Sequence, residues 1–549
     1  MSRAPADRYD RADWLALAIL LALGVAVRLH SLTVPRVVWG DEPYYLWIGQ
    51  SLWAGTGLHA MGYSAAHFPL LFPLLAGGLA QITGSLLSAS NLIFIASGAL
   101  LVVPLYALAR AIYSPTAAWM VGLTVALYPA LATGVLAWGT LTEPIYLLWV
   151  GIAIYLLFQA LDQQPMRWRD FALLGLALGL AYLTRTEALV FLVAALALLL
   201  IGWLLRRAPI GPLLARLAVT VAVFLLVALP YLLTMHSTTG RWSLTGAAGM
   251  AFETMTGLSE NDPAAFDRAT WSLDPASGEV YLFAPSSESE SLRSTLLADP
   301  VETLRRLYRG ALAAGALFFS IKLMPLALAL VAALGLFAQP WRPRRLRGEL
   351  ALLASLAAPL SYLLFFVQER YLAGLLLPAM VWVGAGLWML GLWLAGTAEN
   401  LWRRPLSAIT QRSLLLAPAV VAAALLLTLG PRVSASMQRT HSFQPGHLGA
   451  AAELRRLGAP DDAVVMSRYP AIAFHAGTRW AATPAESWPA VLAYAREHSA
   501  DYLVIDGWEA QLRPQLAFLL DPAQAPPQLQ HLATITSGVD PVVIYAFAE

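Results

Sequence analysis

Apolar runs of about 17–25 residues, the length needed to cross a bilayer as helix, recur through most of this chain, separated by short arginine-bearing segments. That spacing restricts the fold more than any motif does, because a backbone inside hydrocarbon has to satisfy its own hydrogen bonds. The runs cover roughly residues 14–30, 89–109, 116–137, 142–160, 213–235, 350–366, 371–394 and 414–430. Two short spans fit within 171–205, and 303–338 reads as an amphipathic helix leading into another span. With about eleven spans, the expected fold is a polytopic α-helical membrane protein with amphipathic helices on its outer face.

Composition supports this, since 58% hydrophobic and 12% charged residues over 549 positions lie outside the range of soluble domains. A formal net charge of +2 gives no electrostatic support for a nucleic-acid partner. With no cysteine, neither disulfides nor thiolate metal sites can form. The polar stretch Met1 to Asp13 precedes a run without a small-residue cleavage site, so the first span is expected to be retained.

Arginines fall on alternate loops: Arg110, Arg167/Arg169, Arg206/Arg207, Arg342 to Arg347 and Arg403 to Arg412. Placing these loops inside puts the N-terminus in the cytoplasm and everything after Gly430 outside. The loops 31–88 and 236–302 and the tail then share the outer side. The tail alternates a helical pattern (Gly446 to Leu457) with strand-like runs at Ala463–Met466, Tyr502–Ile505 and Val542–Tyr545, as in a small α/β domain. The expected division is a membrane domain, 1–430, and an extracytoplasmic α/β domain, 431–549.

The first outer loop opens with Trp39-Gly40-Asp41-Glu42-Pro43-Tyr44-Tyr45. Two adjacent carboxylates beside aromatics near lipid are costly unless used or paired. Asp41 is also placed to be the N-cap of a helix from Glu42 to Trp53, with Pro43 in its first turn. Other ionisable residues stand near the outer ends of spans. Glu143 starts the fourth span, where a helix-start acid is also favourable. Arg185 and Glu187 lie at a hairpin tip and could form a structural ion pair. Lys322, the only lysine in the chain, could snorkel from an apolar run. Arg370 and Tyr371 open a late span on the outer side, while His67 and His236 lie in or beside outer loops. No HExxH-type metal spacing occurs. Gathered on one face, both signs of charge suit a reaction in which a carboxylate takes a proton while cations stabilise an anion.

These features resemble the GT-C class of glycosyltransferases, most closely the branch of protein O-mannosyltransferases and lipid A aminoarabinose transferases. The resemblance rests on Asp41-Glu42 after the first span, His67-Phe68-Pro69-Leu70, Thr142-Glu143-Pro144, the segment from Gly175 ending in Tyr182-Leu183-Thr184-Arg185-Thr186-Glu187, and Arg370-Tyr371-Leu372. It implies inverting transfer of a sugar from a polyprenyl phosphate to an acceptor hydroxyl of a glycan, lipid or protein on the outer side of the cytoplasmic membrane. Asp41 would be the general base. Arg185, Lys322, Arg370 and Tyr371 would serve the leaving phosphate, with Glu42, Glu143 and His67 as further substrate contacts. The aminoarabinose transferases carry a metal-binding glutamate near the Pro-Leu step of this loop; Ala65-Ala66-His67 stands there instead, and His67 and His236 could replace it for a divalent metal. Two other readings are a lipid-linked glycan ligase or polymerase, and a lipid or sugar transporter. A transporter would carry its ionisable residues at mid-membrane within repeated halves, and no repeat is present.

Overall fold

The computed structural model describes residues 9–65, 67–163, 167–205, 210–240, 242–245, 262–282, 299–403, 405–440 and 444–548. Arg206, Arg207, Arg404 and about half of the 236–302 loop therefore lie outside the described residues. By length and composition, six described helices can cross a membrane: Arg11–Ser31, Leu86–Ile112, Thr142–Asp162, Gly211–Thr238, Ala373–Trp402 and Ala408–Met437. Four shorter apolar helices, Leu71–Thr83, Pro115–Leu127, Ala188–Leu204 and Leu326–Phe337, stand among them.

The count of about eleven thus resolves into six full-length spans and several shorter or broken helices. The apolar run 116–137 shows why. Its helix stops at Leu127 because Tyr128, extended at φ −64° and ψ 120°, precedes Pro129 and is excluded from helical geometry. The chain continues as a single turn, Pro129–Ala132, and a tight turn, Gly134–Ala137. The run 350–366 is likewise divided, into Pro343–Ser355, Ala357–Leu360 and Ser361–Leu364. The 31–88 segment holds the expected helix Glu42–Trp53 and is more ordered than a loop beyond it, with the helix Leu71–Thr83 and a short antiparallel pair, His59–Ala60 with Tyr63–Ser64.

One set of ion pairs lies at helix ends: Arg110 holds Asp13 at 2.7 Å, Arg347 and Arg344 hold Asp162 at 2.7 and 3.3 Å, and Arg345 meets Glu349 at 3.2 Å. Another set forms the candidate site described below.

The last membrane helix runs unbroken from Ala408 through Pro431 to Thr440, so the α/β unit starts at Gln444 rather than 431. Its five strands lie in the order Arg479–Ala482, Val464–Ser467, Tyr502–Asp506, Val542–Phe547, Leu529–Ile535; the first three are parallel and the last two antiparallel to their neighbours. Three of these were visible as apolar runs. Arg479–Ala482 and Leu529–Ile535 were not, because both carry polar residues in or beside short apolar stretches. The unit rests on the first outer segment: Trp480 packs against Tyr44 and Trp47, and the Tyr63 hydroxyl meets that of Tyr494 at 2.9 Å. The backbone N–H of Val38 donates to Nε2 of His475 at 2.8 Å. Burial pushes the pKa of His475 down to about 4, which keeps that nitrogen an acceptor.

Candidate active site

Asp41 is held by a contact between two turns. Gly40 has φ +63°, and a Cβ there would come within 2.9 Å of the Gly139 carbonyl oxygen. That same carbonyl accepts from the Glu42 N–H at 2.8 Å. Only glycine allows this approach at a positive φ, and it seats the 39–42 turn on the 138–142 turn that starts the next long helix. Asp41 occupies the N-cap position of Glu42–Trp53, yet its own backbone is helical and its side chain makes no capping hydrogen bond. Its Oδ2 instead accepts from Nη1 of Arg370 at 2.9 Å, and the side chain keeps 28% of its surface exposed. The capping reading of Asp41 is therefore replaced by a charge pairing across the membrane domain.

A connected polar network extends from that pair. Arg370 also donates to the Tyr371 hydroxyl at 3.0 Å and to Gln368 at 3.1 Å. Tyr371 stacks on Tyr362, 4.2 Å between ring centres and nearly coplanar. The Tyr362 hydroxyl accepts from Nη2 of Arg185 at 3.2 Å, and the Arg185 guanidinium lies 5.6 Å over the Tyr371 ring. Arg185 is ion-paired to Glu143 at 2.8 Å and to Glu187 at 2.5 Å. Thr140 donates to Glu143 in turn. Lys322 reaches Glu369, the neighbour of Arg370, at 2.8 Å. Five of the residues selected from sequence, Asp41, Glu143, Arg185, Arg370 and Tyr371, thus form one network, with Lys322 beside it. Tyr362 and Glu369 complete it and were missed: Tyr362 falls inside an apolar run that reads as uninterrupted span, and Glu369 reads as a lone acid at the start of the late span.

Glu42 is placed differently. It is fully buried, and both its oxygens accept from Arg36, at 2.7 and 2.9 Å, while Arg36 also reaches Asn91 at 3.2 Å. Its carboxylate faces that pair rather than Arg370, which leaves it no free oxygen for a substrate.

His67 stands on Phe68 with ring centres 4.3 Å apart, and its carbonyl accepts from the Tyr231 hydroxyl at 3.2 Å. Among the described residues its buried Nε2 has no hydrogen-bond partner, and burial pushes its pKa down to about 4. His236 stacks on Trp242, 4.4 Å between centres. Each histidine is thus held by its own aromatic neighbour. Among the described residues, no three His, Asp or Glu side chains converge as a metal-binding group.

Comparison with known proteins adds to this geometry. Residues 67–233 match the family of dolichyl-phosphate-mannose-protein mannosyltransferases. The crystal structure of ArnT from Cupriavidus metallidurans bound to undecaprenyl phosphate superposes with a TM-score of 0.55 at 13% identity, over 97% of this chain and 98% of that one. This chain has the GT-C glycosyltransferase fold. The apo form of the same ArnT superposes on this GT-C fold at 0.51 and 13% identity, covering 97% of both chains. The oligosaccharyltransferase of Archaeoglobus fulgidus, in complex with zinc and sulfate, does so at 0.53 and 14% identity, over 89% of this chain and 68% of that one. Among curated protein sequences none matches. The family match spans Glu143 and Arg185, while Asp41, Lys322 and Arg370 reach the same network from outside it.

Proposed function

We propose that this chain transfers a sugar, with inversion, from a polyprenyl-phosphate donor to an acceptor hydroxyl at the outer face of the cytoplasmic membrane. The observation that carries the proposal is the 2.9 Å bond from Arg370 to Asp41 within a network that also contains Arg185. It brings a partly exposed carboxylate and a set of cations together across 329 residues of sequence. The family match to dolichyl-phosphate-mannose-dependent enzymes and the undecaprenyl phosphate in the ArnT structure support a lipid monophosphate donor.

The acceptor O–H gives its proton to Asp41 as its oxygen bonds to the anomeric carbon. The bond from that carbon to the phosphate oxygen breaks, and its electron pair leaves on the phosphate. A phosphate is a good leaving group, so one base suffices and no general acid is required. Arg370, Lys322 and Arg185 supply charge-assisted donors to the phosphate as its charge grows. Each of these cations is already paired with a carboxylate, so the incoming phosphate competes for them. When it draws Arg370 away, Asp41 is left free to accept the acceptor proton. Coupling base release to donor binding in this way limits proton transfer to the loaded site.

The test is Asp41→Asn in purified full-length protein. Transfer should fall by about 10²–10⁴-fold, the usual share of a positioned base, while lipid phosphate still binds. Full activity would remove Asp41 from the mechanism. Mass spectrometry of the released carrier separates this reading from a glycan ligase or polymerase: the proposal expects a polyprenyl monophosphate, whereas a ligase using diphosphate-linked glycans releases a diphosphate. Substrate crossing vesicles with no new glycosidic bond would favour a transporter.

A further inference from the structure

We infer that the α/β unit is part of the catalytic centre, with His475 a positioning residue that holds the backbone leading into Asp41; this rests on the transfer reading above. His475 stands on the helix Pro470–Ala476 of that unit, and its Nε2 accepts from the Val38 N–H at 2.8 Å. Val38 lies in the stretch 35–39, which belongs to no helix or strand, and its side chain is fully buried. A buried N–H outside regular structure needs a partner from elsewhere in the fold. The α/β unit supplies it, three residues before Asp41.

Three ties fix the 36–42 loop. Arg36 closes it on itself through both oxygens of Glu42, at 2.7 and 2.9 Å. The Gly139 carbonyl fastens its end to the membrane domain by accepting from the Glu42 N–H at 2.8 Å. His475 fastens its start to the α/β unit. The same short helix also reaches past the two acids: Phe474 packs on Trp47 with ring centres 5.9 Å apart. Adjacent residues of one helix thus hold the chain on both sides of Asp41.

Docking of the unit does not itself require this bond. The Tyr63 hydroxyl already anchors the hairpin 59–64 to the unit, meeting Tyr494 at 2.9 Å and accepting from the Ala482 N–H at 3.0 Å, while Trp480 packs on the helix Glu42–Trp53. What the His475 bond adds is a fixed backbone atom in the loop that carries the base, and a displacement of about 1 Å at such a group can cost ~10²-fold in rate. The ring is suited to that task. Burial, then the Arg36 and Arg455 charges, push its pKa down to about 4, so Nε2 accepts and Nδ1 carries the proton. Arg370, Lys322 and Arg185 sit on the separate segments 368–371, 320–323 and 183–187, so loss of His475 falls on the base rather than on donor capture.

The test compares wild type, His475→Leu, His475→Gln, Tyr545→Phe and Asp41→Asn as purified full-length chains. Each is supplied with polyprenyl-phosphate sugars and acceptors extracted from host membranes, and release of polyprenyl phosphate is followed by mass spectrometry as the extract is varied. Leucine offers Val38 no acceptor, whereas the Oε1 of a glutamine does. His475→Leu should lower kcat about tenfold or more with the half-saturating donor level unchanged, and His475→Gln should recover most of the loss. Amide exchange over 36–42 should quicken about tenfold or more in His475→Leu and return toward wild type in His475→Gln. Tyr545→Phe removes a hydrogen bond to Leu519 inside the α/β unit, and should lower the thermal midpoint while leaving kcat in place. Wild-type kcat or unchanged exchange in His475→Leu overturns the positioning role, as does an equal loss of kcat in His475→Gln or in Tyr545→Phe; with Asp41→Asn inactive, the transfer reading then stands. If Asp41→Asn keeps full activity, it is the transfer reading that fails, and the positioning of a base with it.

Discussion

Asp41 and Glu42 are neighbours in sequence, yet their environments are opposite. Asp41 keeps more than a quarter of its surface open and pairs with Arg370 through one oxygen; Glu42 has none open and spends both on Arg36. A buried carboxylate stripped of its partner is expensive, about 3–5 kcal/mol in cases where one side of a buried pair is removed. Arg36→Ala should therefore lower the thermal midpoint sharply, and adding Glu42→Gln should recover part of the loss. Equal midpoints in the single and double variants would show that the pair contributes little. At Arg370 the expectation differs, because its guanidinium serves Asp41, Gln368 and Tyr371 at once. Lysine keeps the charge but not the fork, so Arg370→Lys should raise KM for the donor with a smaller effect on kcat, measured by varying the lipid phosphate sugar. An unchanged KM would remove Arg370 from the phosphate site. The sequence made Asp41 legible because an acid beside aromatics near lipid needs a reason. It did not distinguish the two acids, since the arginine that separates their roles lies six residues upstream and reads like any loop cation.

The helix that begins at Glu42 is positioned by backbone contact rather than by large side chains. A Cβ at Gly49 would come within 2.4 Å of the Pro73 carbonyl oxygen, and one at Gly77 within 2.2 Å of the Gly49 carbonyl oxygen. Small residues permit this approach in membrane helices, and it explains why Leu71–Thr83 did not stand out as a helix within the 31–88 segment. The glycines and prolines that made it look like a loop are what let Glu42–Trp53 and Leu71–Thr83 pack closely. The broken runs were misread for a related reason: hydropathy reports which residues tolerate lipid, and Tyr128 or Tyr362 tolerates it whether or not the helix continues. Gly77→Val should force the two helices apart and shift Asp41 relative to Arg370. Since a displacement of about 1 Å can cost ~10²-fold in rate, transfer should fall strongly while a chain with intact ion pairs elsewhere still inserts. Activity near wild type in Gly77→Val would show that this helix pair does not set the geometry of Asp41.

At the scale of the whole molecule, the outer segment and the α/β unit are joined by a buried charge cluster. Asp267, on the helix Pro263–Trp271, accepts from Arg468 at 2.6 Å and from Arg513 at 2.7 Å, and Arg513 also holds Glu509 at 2.8 Å. Asp506 meets His447 at 2.8 Å and accepts from the Glu509 N–H at 2.6 Å. The three acids do not titrate alike. Burial opposes ionisation of Asp267, but Arg468 and Arg513 outweigh it and hold its pKa below the usual value. For Asp506, burial is similarly outweighed by the His447 hydrogen bond. At Glu509 burial wins, reinforced by the Asp506 and Asp267 charges against Arg513, and its pKa is pushed from 4.5 up to about 8. A folded carboxyl that holds its proton more tightly than the unfolded one destabilises the fold as pH rises through that interval. Glu509 therefore costs nothing below about pH 4.5, costs progressively more up to about pH 8, and adds no further loss above it. Asp267 and Asp506 act in a separate acid window, because their lowered values cost stability only as pH falls through the carboxylate range. The thermal midpoint of the full chain, followed from about pH 5 to pH 9, should decline more steeply in wild type than in Glu509→Gln, whose amide does not titrate. Parallel profiles would mean that Glu509 is ionised throughout as the partner of Arg513, and that the join between the outer segment and the α/β unit carries a full buried charge at every working pH.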